Sequence, residues 1–131
     1  MDITQELLGD IAVLRIRGDL DRLNAPALAT AFHVHLRAGN KNLLLDLTAC
    51  PYVDSGGLAT IMVAAADLGE EGMLAIVAPS ASVRRLLEVV GLFEHRRARV
   101  FRTEKDALWA VAEAAQQSES DPWRERSKAL G

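Results

Sequence analysis

Two short apolar runs, Leu43-Leu44-Leu45-Asp46-Leu47 and Met73-Leu74-Ala75-Ile76-Val77-Ala78, limit the folds open to this chain more than any other feature in it. Each is too short for an ordinary helix, and neither alternates apolar with polar residues as a half-solvated strand does. Runs of this kind are strands covered on both faces. In a small domain the cover comes from helices above and below a largely parallel sheet.

The remaining segments supply those helices. Between the runs, the loop Cys50-Pro51-Tyr52-Val53-Asp54-Ser55-Gly56-Gly57 leads into Leu58-Ala59-Thr60-Ile61-Met62-Val63-Ala64-Ala65-Ala66, which is rich in helix-forming alanine. Asp54 and Ser55 are both helix-capping residues. A glycine pair in the first turn is costly, since each glycine loses about 1 kcal/mol against alanine in a helix. Either the turn packs too tightly for a Cβ, or another molecule approaches the backbone beside an exposed hydroxyl.

Upstream, Ile3 to Leu8 and Ile11 to Arg17 flank Gly9-Asp10, a connection that suits a type II′ hairpin. Asn24 and Pro26 then predict a capped helix start, Leu28, Phe32 and Leu36 its buried stripe, and Gly39-Asn40 its end. After the second run a helix is expected over Ala81 to Val90, with Val83, Leu86, Leu87 and Val90 inward and Gly91 beyond its end. Arg99 to Arg102 reads as a short edge strand. Thr103 and Asp106 resemble a capping box, with Asp in place of Glu, before a last helix, with Ala107, Leu108, Val111, Ala112 and Ala115 inward and Trp109 and Glu113 off the stripe. The predicted order is ββαβαβαβα: a single α/β domain over residues 1–116, a mixed, mostly parallel sheet of about four or five strands flanked by about four helices. Residues 117–131 are polar, carry an incidental Trp123, and are expected to be a flexible tail.

Composition excludes several function classes. The net charge is −3 and no dense Lys/Arg cluster is present, which argues against nucleic acid and anionic membrane as partners. No apolar run approaches the roughly 20 residues needed to cross a bilayer, so no direct membrane insertion is expected. Cys50 is the sole cysteine and Met1-Asp2-Ile3-Thr4 lacks the features of a signal peptide, which together point to a reducing cytoplasm. His33, His35 and His95 are scattered without metal spacing, so neither a metal nor a cofactor is expected. Asp21, Asp54 and Ser55 could be drawn as a catalytic cluster. No base is placed to activate Ser55, however, the stretch is not a Gly-x-Ser-x-Gly elbow, and no phosphate-loop lysine accompanies the glycines; the reading is a noncatalytic protein.

Three stretches in order, Gly18-Asp19-Leu20-Asp21, Leu44 to Leu47 followed by Val53-Asp54-Ser55-Gly56-Gly57-Leu58, and Val83 to Phe93, resemble the landmarks of STAS domains, above all bacterial anti-sigma factor antagonists. The resemblance covers roughly residues 2 to 116. It implies a small regulatory module that binds an anti-sigma factor, itself an ATP-dependent serine kinase, and so releases a sigma factor. The kinase would phosphorylate the module at the start of the second helix, and a serine phosphatase would reverse the reaction. In the sporulation-type antagonists the acceptor is the second residue after the aspartate, which here is Gly56. In the stressosome branch it follows the aspartate directly, and Ser55 holds that place. Ser55 also reads as a plain N-cap. The resemblance further admits a constitutive, unphosphorylated STAS subunit of an ABC-type lipid transport complex, an alternative that Gly56 favours.

On the second helix, Leu58, Ile61, Met62, Ala65 and Leu68 are expected to face the sheet. Ala59, Val63 and Ala66 lie on another face that is apolar too, so a neighbouring molecule is expected there, either a different protein or a second copy in a homodimer. Asp21, Asp54, Ser55, Gly56 and Gly57 complete the predicted partner patch.

Overall fold

The computed structural model describes residues 1–69, 72–92 and 97–119. Its elements are β1 (Asp2–Leu8), β2 (Ile11–Arg17), α1 (Ala25–Arg37), β3 (Asn42–Ala49), α2 (Ser55–Asp67), β4 (Met73–Val77), α3 (Ala81–Val89), β5 (Ala98–Phe101) and α4 (Glu104–Glu119). They form one five-stranded sheet in the order β1-β2-β3-β4-β5, antiparallel between β1 and β2 and parallel thereafter. The hairpin closes with Leu8 opposite Ile11, and Gly9 at φ +61° supplies the left-handed position that a type II′ turn requires first.

Alternation along the strands sorts the apolar side chains into two cores. Leu14, Leu43, Leu45, Leu74 and Ile76 pack with Leu28 and Phe32 of α1, Ile61 and Ala65 of α2, and Val83 and Leu87 of α3. On the opposite face Val13, Leu44, Ala75 and Val77 pack with Ala107 and Val111 of α4. Both expected runs are therefore covered on both faces. Ile11 to Leu14 of β2 are buried as fully, because the hairpin partner β1 takes the edge of the sheet. Each fully buried Leu or Ile contributes roughly 1.5–3 kcal/mol by leaving water, so the buried stretches of β2, β3 and β4 together carry a large share of the stability.

Several inward assignments shift by one position. Met62 is 41% exposed, and Ala64 is buried in its place. Met62 follows Ile61 by one residue, roughly 100° round the helix, and in a helix apolar on every side only the packing chooses the face. Leu86 lies at the surface and Val90 is half-buried, which leaves Val83 and Leu87 as the buried row of the short α3. Ala112 is exposed, while Ala114 packs against the second core. Trp109 and Glu113 are exposed, off the stripe as expected. Thr103 caps α4, the Asp106 amide donating to Thr103 Oγ1 at 3.2 Å, which is one of the two bonds of a capping box. Helix α4 continues to Glu119, so residues 117–119 belong to it and not to a tail. Trp123 and His95 lie outside the described residues.

Arg15 ties the start of α4 to the sheet. Its guanidinium donates to Glu6 at 2.7 Å, to Asp46 at 2.9 Å and to Glu104. The Glu6 carboxylate above all, with Glu104 and Asp46, raises the pKa of Arg15 and holds it charged.

Candidate functional site

The parallel pairing of β2 with β3 does not stop where the strands do. Gly18 N–H donates to Ala49 O at 3.0 Å, Leu20 N–H to Tyr52 O at 2.9 Å, and Asp54 N–H to Leu20 O at 3.1 Å, with Leu20 bridged to Val53. Two loops far apart in sequence thus run side by side at the carboxyl edge of the sheet, where functional loops of open α/β folds gather. The loops carry Asp21 and Asp54 of the predicted site, and the second delivers Ser55, Gly56 and Gly57 at the start of α2.

Asp54 joins the two loops. It has extended backbone at the N-cap of α2, its Oδ1 accepts the Gly57 N–H at 3.0 Å, and its Oδ2 accepts the Arg22 N–H at 3.0 Å. These backbone donors, Gly57 first and then Arg22, hold the Asp54 carboxyl below its usual pKa, since they favour the ionised form. The cap is therefore Asp54 and not Ser55. Ser55 is the first helical residue, with its side chain exposed.

The glycine pair is explained by the neighbouring loop. A Cβ on Gly56 would lie 2.8 Å from Arg22 Cα and 3.0 Å from Arg22 Cβ. On Gly57 it would lie 2.8 Å from Leu20 Cγ and 3.0 Å from Leu20 O. Carbon atoms pack at about 3.5–4.0 Å, so both positions exclude any side chain. Tight packing is the answer to the choice that the sequence left open, and Gly57 is buried, away from the surface patch predicted to include it.

The Asp21 loop is organised by its own polar side chains. Asp21 Oδ1 accepts the amides of Leu23 at 2.9 Å and Asn24 at 3.0 Å, Asn24 Oδ1 accepts the Asp21 amide at 2.8 Å, and Asn24 Nδ2 donates to Asp19 O at 2.8 Å. Asn24 occupies the N-cap position of α1, but its side chain makes no cap bond because the loop uses it.

On α2, Ala59, Val63 and Ala66 are exposed, Val63 at 58%, as the helical spacing predicted. Met62 joins them. Beside this face, α1 and α2 leave a cleft of about 500 Å³ whose walls include Ala29, His33, Ala59 and Val63. Sequence reasoning missed Leu23, which is 86% exposed and shares a surface depression of about 320 Å³ with Asp21, Arg22, Asp54 and Ser55. Its one signal in the sequence is a leucine within a polar turn, outside any periodic pattern. Cys50 is buried and donates to Tyr52 O at 3.3 Å; burial pushes its thiol pKa up, which does not suit a nucleophile.

A mixed five-stranded sheet whose second helix starts on a glycine pair packed against the loop after β2 defines a class. The STAS domain model matches residues 2–107, and the chain belongs to the STAS domain family. Among its relatives, the anti-sigma-F factor antagonist RsfB of Mycobacterium tuberculosis is 31% identical over 101 residues, which span 77% of this chain and 81% of that protein. The crystal structure of an anti-sigma factor antagonist from Mycobacterium paratuberculosis superposes with a TM-score of 0.78 at 28% identity, covering 85% of this chain and 93% of the other. The phosphorylated form of the Bacillus cell fate determinant SpoIIAA superposes with a TM-score of 0.67 at 18% identity, over 84% of this chain and 99% of the other, a likeness of fold alone. Among the described residues no helix is long and apolar enough to cross a membrane.

Proposed function

We propose that this chain is an anti-sigma factor antagonist that binds a serine-kinase anti-sigma factor through the loop of Asp21 and the exposed face of α2, and so frees a sigma factor. The observation that carries the reading is the apolar exposed face of α2, with Val63 at 58% and Met62 at 41% exposure on the helix that begins at Ser55. Small and apolar side chains on a surface helix mark a contact surface, because a solitary surface helix carries charge there. The 31% identical relative named as an anti-sigma-F factor antagonist supports the same role.

Phosphorylation of Ser55 is the switch in this reading. It would add nearly two negative charges next to Asp54, whose carboxylate is already held ionised. An apolar or acidic partner surface would then be repelled, and a serine phosphatase would restore binding. Gly56 carries no hydroxyl to accept a phosphate, and the Arg22 backbone fills the space that a side chain there would need. The same contact accounts for the absence of a side chain at Gly56 without reference to function.

Val63→Glu is expected to abolish capture of the anti-sigma factor kinase while changing stability by less than about 1 kcal/mol, as for an exposed site. Retained binding, or a collapse in melting temperature, would refute the assignment. Incubation with the kinase and ATP should place phosphate on Ser55 by mass spectrometry. Modification of Thr60 with Ser55 untouched would sink the switch.

A further inference from the structure

We infer that Leu23 is a preorganised anchor of the partner interface, a side chain that inserts into an apolar pocket of the anti-sigma factor. The inference rests on the proposed function and adds a residue and a mode of recognition to it.

Exposure alone would not single Leu23 out, since Val89 on α3 is 77% exposed and isolated surface hydrophobics are common. What distinguishes Leu23 is the scaffold beneath it. Its own amide and that of Asn24 are held by Asp21 Oδ1, the Asp21 amide is held by Asn24 Oδ1, and the Arg22 amide is held by Asp54 Oδ2 across the loop pair. Four consecutive backbone amides, from Asp21 to Asn24, are thus bonded to side chains, and the loop needs no partner to reach this conformation. A leucine 86% exposed on so constrained a backbone loses little further backbone freedom on binding, the condition under which a buried contact yields most affinity. Its position is continuous with the proposed interface, because it lines one depression with Asp54 and Ser55.

The loop also links the anchor to the modification site. Asp54 grips the Arg22 amide across the loop pair and the Gly57 amide along its own chain, and Ser55 follows it directly in the span it closes with Gly57. A phosphate on Ser55 would stand beside the carboxylate that holds the anchor's loop in place.

The test is titration calorimetry of the full chain against the purified anti-sigma factor kinase of the source organism, with melting curves of every variant. Leu23→Ala is expected to weaken binding by roughly thirtyfold to a hundredfold, the lower part of the range of an interface hot spot, with an unchanged melting temperature. Leu23→Met should recover most of the loss, and Val89→Ala should bind as the unaltered chain does. Asp21→Ala keeps the leucine but frees the amides of Leu23 and Asn24, and should weaken binding as well. Wild-type affinity in Leu23→Ala, when Val63→Glu has lost binding, overturns the anchor and leaves the proposed function standing. An equal loss in Val89→Ala also overturns it, since general surface apolarity would then be the cause. If the unaltered chain does not bind the kinase, the proposed function fails and the anchor falls with it.

Discussion

Replacing Gly56 by alanine separates two explanations of the glycine pair by the sign of one measurement. In a helix where nothing touches position 56, the substitution stabilises by up to about 1 kcal/mol, because alanine loses less backbone freedom on folding. In this fold the new Cβ would meet Arg22 Cα at 2.8 Å and Arg22 N at 3.3 Å. Those atoms are backbone and cannot rotate away, and the Arg22 amide is itself held by Asp54 at 3.0 Å. Relieving such a contact costs about 2–3 kcal/mol, the upper part of the range for overpacking. Net of the propensity gain, the variant should be about 1–2 kcal/mol less stable. For a domain of this size that lowers the melting temperature by roughly 4–8 °C. Thermal melting followed by circular dichroism measures it, and the Arg22 amide resonance in a nitrogen-15 correlation spectrum should shift, because the loop must move. A melting temperature at or above that of the unaltered chain would refute the packing account and return the glycines to a role in contacting another molecule.

Two further outcomes follow from the same geometry. Ile61 is buried and its neighbour Met62 is 41% exposed, so Ile61→Ala should cost about 2–5 kcal/mol and Met62→Ala less than about 1 kcal/mol in urea denaturation; equal costs would mean that α2 is rotated from the orientation described. The Asp54 carboxyl is held below its usual pKa by the amides it binds, so its contribution to stability is complete above the unfolded-chain value of about 3.9 and is lost as pH falls through the lower folded-state value. Asp54→Asn should therefore melt below the unaltered chain at neutral pH, the gap narrowing only below about pH 4; a gap constant from neutral pH to pH 3 would contradict this account of Asp54.

The order of elements was legible from residues 2 to 116 because it depends on local patterns, whereas the last turn of α4, to Glu119, was not, since its residues are polar. Apolar runs covered on both faces, the Gly9-Asp10 turn and the Thr103 cap each depend on a few neighbouring positions, and each forms as those positions predict. The exposure of Ala59, Val63 and Ala66 was legible for the same reason, since a helix separates its faces by a fixed angle per residue. Periodicity could not choose between Met62 and Ala64 for burial, because both are apolar in a helix that is apolar throughout.

The amino-acid sequence by itself determined the α/β class, the strand and helix order, and the cluster of Asp54, Ser55 and the glycines at the start of the second helix. Only the tertiary structure decided what those residues do. Asp54 and Ser55 are equivalent capping residues by type, and Asp54 takes the cap while its second oxygen holds the Arg22 amide. The glycines look equally suited to a ligand or to packing, and the backbone of Arg22 and the side chain of Leu20 fill the space beside them. Leu23 stands out on no local pattern, and its rigid exposure comes from Asp21 and Asn24 together with the alignment of two loops that the parallel pairing of β2 and β3 brings side by side. Local propensity acts over the few residues that share a turn of chain, whereas these roles depend on atoms about thirty residues apart, brought within contact distance only when the sheet has formed.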